Sequence, residues 1–184
     1  DEGRLMRVRL LGTGSADGWP NAFCECESCT AERSAKRSRK PACALVDDVL
    51  LIDAGPTMPY AAADAGISLA GVRDVLLTHG HPDHLAPSFL LWREWIAGLP
   101  MLDVHGPQLA IDQCRDWIGP DSPIRFHVVA PGDELLLASG YRVRVLEAAH
   151  DPAGKDVILE IFGPGEPLGA IAVYEGKEYP ASAA

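Results

Sequence analysis

The strongest constraint on this chain is the segment Thr78–His84, which reads Thr-His-Gly-His-Pro-Asp-His. It directly follows residues 72–77 (Val-Arg-Asp-Val-Leu-Leu), a segment with an apolar end that we interpret as a buried strand. A small glycine and a rigid proline within the segment let the turn fold back, so that its polar side chains converge. Imidazole and carboxylate groups are the ligands that suit Zn²⁺ and related divalent ions. The sequence therefore predicts a metal site where the chain leaves the core, with four candidate ligands: His79, His81, Asp83 and His84.

The rest of the pattern predicts an α/β chain built on a mixed sheet. Early strands alternate with helices, and later strands form hairpins. The expected strands are residues 7–11, 42–46, 49–52, 72–77, 102–105, 126–129, 134–137, 141–146, 157–162 and 170–174. The expected helices are residues 30–37, 58–65, 87–97 and 108–118, and a glycine follows the second and the third of them. Three tryptophans of these helical regions are expected in the core: Trp92, Trp95 and Trp117.

Length and charge narrow the class of protein. A chain of 184 residues suits one domain, which at this size buries about 70% of its unfolded surface. The net charge of −10 argues against nucleic acids and anionic membranes as partners, and the basic run at residues 35–40 is interpreted as a solvated surface. No apolar run approaches the roughly 18 residues of a membrane span. We therefore expect a soluble, cytoplasmic protein, and we interpret residues 1–5, which precede Met6, as tag or upstream residues.

Three of the five cysteines, Cys24, Cys26 and Cys29, form a C-x-C-x-x-C cluster. Cysteines this close in sequence are difficult to join by a disulfide, but their thiolates can readily bind one ion together. The spacing therefore favours metal ligation over a disulfide framework. Thiolates are typical of closed structural zinc sites, whereas open hydrolytic sites prefer histidine, aspartate and water. A fourth ligand has to come from elsewhere in the chain. Three free thiols are the alternative.

Three motifs resemble one known family. Residues 77–84 look like the signature of the metallo-β-lactamase-fold hydrolases. Residues 10–15 (Leu-Leu-Gly-Thr-Gly-Ser) resemble the first strand and turn of that fold, and residues 51–55 (Leu-Ile-Asp-Ala-Gly) resemble its strand-ending Asp-x-Gly. The resemblance runs from about Arg7 to about His150. It implies an αββα sandwich of two mixed sheets with a dinuclear metal site at one edge, as a single domain over residues 1–184 whose C-terminal part is shortened.

The resemblance also implies roles for individual residues. His79 and His81 would bind one metal together with His150, while Asp83 and His84 would serve the other metal and act as the catalytic pair. The family carries a bridging aspartate and a further histidine later in the chain. Here residues 171–177 contain no aspartate, and no histidine follows His150, so the three-histidine site is the complete one. One or two Zn²⁺ ions are expected, with Mn²⁺ and Fe²⁺ as alternatives.

The cysteines narrow the resemblance to a subgroup. Residues 14–20 (Gly-Ser-Ala-Asp-Gly-Trp-Pro) and the cysteine cluster are similar to the subgroup that contains the phosphodiesterase of the carbon–phosphorus lyase pathway and the pyrroloquinoline-quinone biosynthesis protein B. In that subgroup such cysteines, with a distant residue, hold a structural zinc. The resemblance implies a metal-dependent hydrolase, namely a phosphodiesterase that uses zinc-bound hydroxide on a small anionic substrate.

Two other functions stay open at this stage. One is a non-hydrolytic metal-binding domain of a quinone-cofactor or cobinamide biosynthesis protein, and the other is a truncated domain that a partner subunit completes. The oligomeric state is also open, a homodimer included. Asp53 has two interpretations of equal weight: it orients a ligand imidazole or the loop from behind, or it ends its strand with an Asx-type turn. His105 and His127 are interpreted as structural residues.

Overall fold

The computed structural model describes residues 5–150 and 154–162, and of residues 148–150 and 154–162 it describes the backbone. Within this part of the chain lie nine strands: β1 (Val8–Gly12), β2 (Cys43–Val46), β3 (Leu50–Ile52), β4 (Asp74–Leu76), β5 (Leu102–Gly106), β6 (Ile124–Val128), β7 (Glu134–Leu136), β8 (Arg142–His150) and β9 (Gly154–Phe162). The same part contains four helices: α1 (Glu27–Ser34), α2 (Met58–Asp64), α3 (Ser88–Glu94) and α4 (Gln108–Arg115).

The strands form two sheets. The larger sheet has six strands in the order β1-β2-β3-β4-β5-β6, and the smaller has the order β7-β8-β9. The pairs β1–β2 and β2–β3 are antiparallel, whereas β3 to β6 run parallel, so the larger sheet is mixed as predicted. The smaller sheet is antiparallel throughout. Because β3 and β4 are neighbouring parallel strands, the segments that follow them leave the sheet at the same edge.

Two apolar layers hold this arrangement together. The first lies between the larger sheet and helices α2, α3 and α4, where Leu51 and Val104 of the sheet pack in one cluster with Phe89 and Ile111 of the helices. The second lies between the sheets, where Leu76 of β4 packs in one cluster with other buried residues from both sheets: Val46, Leu50, Leu137, Tyr141 and Val143. A strand that is buried along its whole length is typically a continuous apolar run, and β2 (Cys-Ala-Leu-Val) has this pattern in the sequence. The predicted two-sheet sandwich is confirmed.

Most predicted elements are present, with corrections at their ends. The hairpin of β2 and β3 is confirmed, and α2 ends before Gly66, whose φ of +65° suits a helix-ending glycine. The first helix was placed wrongly at residues 30–37. It begins three residues earlier because the Cys26 thiol caps it by accepting a hydrogen bond from the Cys29 backbone N–H, with a donor–acceptor distance of 3.5 Å. The strand predicted at residues 170–174 lies outside the described residues.

The expectation of core tryptophans is wrong. Trp92, Trp95 and Trp117 are 36%, 73% and 41% exposed. Helix α3 ends at Glu94 and α4 at Arg115, so Trp95 and Trp117 follow the last helical turn and do not join a buried face. The helices in the described part of the chain reach eight residues at most, whereas a bilayer needs about 20, so none of them could span a membrane.

Candidate metal centre

The candidate centre lies at the edge where β3 and β4 end. Asp53 follows β3, and the histidine loop, which we define as residues 78–84, begins after Leu77. The two segments are joined directly, because the Ala54 backbone N–H donates to the His84 carbonyl at 2.8 Å and the Ala86 N–H donates to the Ala54 carbonyl at 2.9 Å. The loop is therefore fastened to the neighbouring strand end and does not stand free in solvent.

A glycine makes this close approach feasible. A Cβ atom at Gly55 would lie 1.9 Å from the carbonyl oxygen of Asp83, far inside van der Waals contact. Gly55 thus lets the backbone after β3 pass directly beneath the loop. The Asp-x-Gly motif of the sequence contributes two separate features here: the carboxylate of Asp53 and the space at Gly55.

Asp53 is the buried anchor of the loop. The residue is 4% exposed. Its Oδ1 accepts hydrogen bonds from the Thr78 backbone N–H at 2.8 Å and from the Thr78 hydroxyl at 2.9 Å. Its Oδ2 lies 2.6 Å from Nδ1 of His84. The backbone of Asp53 has a φ of +60°, a left-handed conformation that aspartate tolerates better than most residues. In this structure Asp53 touches a predicted ligand and also ends its strand.

The hydrogen bonds of Asp53 and Thr78 determine which ring nitrogens face outward. Since Asp53 is an acceptor, His84 carries its proton on Nδ1. The Thr78 hydroxyl has one proton and lies 2.9 Å from both Asp53 oxygens, so it donates there and accepts from Nδ1 of His79 at 3.0 Å. Nε2 is thus the ring nitrogen that both imidazoles have left to bind a metal, the arrangement in which a carboxylate supports a metal-binding histidine, and in the structure Nε2 of His84 faces Asp83.

The predicted ligand side chains converge. The ring centroids of His79 and His81 are 4.6 Å apart, and those of His79 and His84 are 4.1 Å apart. Asp83 Oδ2 lies 3.0 Å from Nε2 of His84. Imidazole and carboxylate are the donor types that suit a borderline ion such as Zn²⁺, and they also allow Mn²⁺ or Fe²⁺. His150 is the last residue of β8 and pairs through its backbone with Gly154; its side chain lies outside the described part of the chain.

Thr78 is a site residue that the sequence reasoning missed. The sequence places it only at the start of the segment that holds the candidate ligands. The sequence feature that could have indicated its role is its position directly before the histidine loop. A hydroxyl there can bridge the loop to a carboxylate at the end of the adjacent strand. The bridge itself joins residues 25 positions apart, so it becomes recognisable only once β3 and β4 are known to be neighbours.

The cysteine cluster forms a second, separate group. The Sγ atoms of Cys24, Cys26 and Cys29 all lie within 4.8 Å of one another. Ligands at about 2.3 Å from a tetrahedral zinc ion are about 3.8 Å apart, so the three sulfurs are close to the required spacing. The Cys29 N–H bond, followed by contacts with the other two thiols, lowers the pKa of Cys26, while burial chiefly raises that of Cys29. Three soft donors of this kind fit a structural zinc with a fourth ligand.

Two other cysteines stand apart from this cluster. Burial raises the pKa of both Cys43 and Cys114 to about 12, so both remain thiols near neutral pH. Cys43 donates to the Asp53 carbonyl, with an S–O distance of 3.3 Å. They are part of the core around the larger sheet.

His105 and His127 lie on adjacent strands, β5 and β6. His105 is buried with Nε2 3.3 Å from Asp74, and His127 has Nε2 2.6 Å from Asp103. Asp103 also accepts two hydrogen bonds from Arg125. Each of the two histidines thus has a carboxylate partner on the larger sheet, which agrees with their interpretation as structural residues.

Comparison with known proteins identifies the family. A sequence profile for the Metallo-beta-lactamase superfamily matches residues 41–165. The chain belongs to this superfamily. Its members are mostly metal-dependent hydrolases and bind divalent metals, often zinc. The resemblance drawn from the histidine loop is therefore confirmed.

Three similar proteins illustrate the relationship. The chain is 34% identical over 113 residues to a ribonuclease Z from Methanopyrus kandleri, which covers 60% of the chain and 39% of that protein. A diphosphatase of the PhnP family superposes with a TM-score of 0.69 at 20% identity, over 86% of the chain and 63% of that structure. Zn²⁺-bound PqqB from Methylobacterium extorquens superposes with a TM-score of 0.70 at 18% identity, over 89% of the chain and 63% of that structure. The chain thus spans less than two thirds of each, and the two structures agree with the predicted subgroup.

Proposed function

We propose that this chain is a metal-dependent phosphodiesterase whose reaction takes place at the histidine loop. The observation that carries the proposal is the convergence of His79, His81 and His84, with Asp53 and Thr78 fixing the orientation of two of the three rings. Such fixed ligands hold their geometry without reorganising during a reaction. A divalent cation bound there would supply Lewis-acid stabilisation of developing negative charge and a water of lowered pKa.

We propose the following roles for the residues of the site. His79 and His81, completed by His150, would hold one ion, and Asp83 and His84 would serve a second. Asp53 would keep the Nδ1 proton of His84 in place and, through the Thr78 hydroxyl, that of His79. The chain as a whole carries a net charge of −10, which repels anions, so a bound cation is what would attract an anionic phosphodiester.

The known proteins support a phosphorus-centred substrate. The similar proteins include one named ribonuclease Z and one described as a diphosphatase of the PhnP family, and both names refer to cleavage at phosphorus. We further propose a structural zinc at Cys24, Cys26 and Cys29, in a single domain. Five free cysteines fit a reducing compartment, and we propose the cytoplasm as the location.

The proposal is tested by hydrolysis of bis(p-nitrophenyl) phosphate with chain that has been stripped of metal and reloaded with Zn²⁺ or Mn²⁺. Activity is expected after reloading and is expected to fall to background in His79→Ala. The matched control is His127→Ala, which removes a histidine of β6 that is paired with Asp103 and should retain activity. Cleavage that survives in His79→Ala, or no cleavage by the chain reloaded with either metal, would contradict the proposal.

A further inference from the structure

A cavity of about 380 Å³ lies on the helical side of the larger sheet, between α2 and α3. We call it the α2–α3 cavity. Met58 of α2, Phe89, Trp92 and Arg93 of α3, and Val75 of β4 are among the residues that line it, together with the segment 68–70. None of its lining residues belongs to the histidine loop or to the cysteine cluster. It is therefore a second concave site, separate from the candidate metal centre.

Arg93 is the single charged residue among those that line the cavity. Its Nη2 donates to the carbonyl oxygens of Val72 at 3.1 Å and Pro100 at 2.6 Å. Its Nε is buried and has no hydrogen-bond partner among the described residues. Burial lowers the pKa of Arg93 from its ordinary value, and no acidic side chain in the described part of the chain offsets this. A guanidinium in this setting lacks a counter-charge and one acceptor.

The shape and the charge together define the ligand that fits. The volume falls within the range of about 300–1,000 Å³ that is typical of small-molecule sites, and apart from Arg93 and Ser68 the wall is apolar. A purely apolar molecule would leave the partly buried guanidinium without a counter-charge, which is costly. A ligand with several negative charges would find one cation only. An unbranched apolar chain that ends in one carboxylate satisfies both conditions.

We propose that the α2–α3 cavity binds a medium-chain aliphatic monocarboxylate, with its carboxylate on Arg93 and its chain against the apolar wall. Trp92 of α3 and Ile96, which follows the end of that helix, line the cavity and are 36% and 59% exposed, and a bound aliphatic chain would cover part of this exposed apolar surface. The site goes beyond the proposed hydrolysis and does not depend on it.

Octanoate is the probe, and its binding is measured by isothermal titration calorimetry with the full chain. Saturable binding of one octanoate per chain is expected. A hydrogen bond to a charged group contributes enough that Arg93→Met should weaken binding about ten- to hundredfold. Octan-1-ol, which lacks the charge, should bind the unaltered chain about as weakly as octanoate binds that variant. Arg115→Met removes the arginine in the last turn of α4 and should leave octanoate binding unchanged.

A second variant keeps the test decisive if Arg93→Met fails to fold. Ala70→Phe adds bulk at the cavity and removes no hydrogen bond of Arg93, so it should abolish octanoate binding while the melting temperature is retained. No saturable binding at millimolar octanoate would overturn the proposal, as would equal affinity for octanoate and octan-1-ol. If sedimentation shows a dimer that Ala70→Phe dissociates, and octanoate does not bind, the cavity is an interface between two copies and the proposal is wrong.

Discussion

The hydroxyl of Thr78 gives the sharpest test of how the candidate metal centre is organised. Thr78→Val keeps the shape of the side chain and the backbone N–H bond to Asp53, but it removes the hydroxyl that lies 2.9 Å from both Asp53 oxygens and 3.0 Å from Nδ1 of His79. The buried carboxylate loses one donor, and a hydrogen bond to a charged group contributes about 1.5–3 kcal/mol. The metal-free variant should lose roughly that much free energy of unfolding.

The same substitution should weaken metal binding. The His79 ring loses the partner that holds its Nδ1 proton, and residues that support a ligand in this way typically contribute about 10- to 100-fold in metal affinity. The assay is a zinc titration against a competing chelator, paired with urea unfolding of the metal-free protein. Thr78→Ser, which keeps the hydroxyl, should stay near the unaltered protein. Thr57→Val is the matched control, because the Thr57 side chain makes no capping hydrogen bond at α2. Unchanged zinc affinity in Thr78→Val would refute the proposal that Asp53 orients His79 through the Thr78 hydroxyl.

Three further expectations concern the rest of the structure. Gly55→Ala would place a Cβ 1.9 Å from a carbonyl oxygen of the histidine loop, so we expect a lower melting temperature and lost activity, whereas Gly119→Ala, with open space around it, should melt as the unaltered protein does. Burial raises the pKa of Asp74 and of Asp103, but hydrogen bonds from their histidine, arginine and backbone partners outweigh this and hold both pKa values below the ordinary range. Such groups stabilise the fold above their unfolded pKa of about 3.9, and this stability is lost as the pH falls through the lower folded values. Urea unfolding between pH 5 and pH 2 should therefore show a falling free energy, with a shallower slope in Asp103→Asn; an unchanged slope would contradict the assignment. Cys29→Ser should release the zinc proposed at the cysteine cluster, measured by elemental analysis, while the metal at the histidine loop is retained; loss of both metals would argue against two independent sites.

Local patterns predicted the parts of the site that lie close together in the chain. The donors of the histidine loop fall within six consecutive residues after an apolar run, so their convergence follows from one turn. The cysteine cluster is equally local, and its three sulfurs do lie together. The predicted start of α1 was wrong because its N-cap residue is Cys26. Cysteine is not one of the usual capping residues, which are serine, threonine, aspartate and asparagine.

Contacts between distant residues were not predictable in the same way. The interaction of Asp53 with Thr78 and His84 requires β3 and β4 to be parallel neighbours, a matter of sheet order and not of local pattern. The exposed tryptophans were misjudged because large apolar side chains favour the core on average, whereas Trp95 follows the end of a short helix. The α2–α3 cavity and the missing counter-charge of Arg93 likewise depend on how two helices lie on one sheet.

The sequence by itself predicted a histidine loop after a core strand and a cysteine cluster, because each of these features lies within a few consecutive residues. Only the tertiary structure decided how that loop is held. The Nδ1 protons of His79 and His84 are held by Asp53, directly for His84 and through the Thr78 hydroxyl for His79, and Asp53 lies 26 to 31 residues earlier in the chain. That acceptor is supplied by the pairing of two strands, which no local pattern specifies.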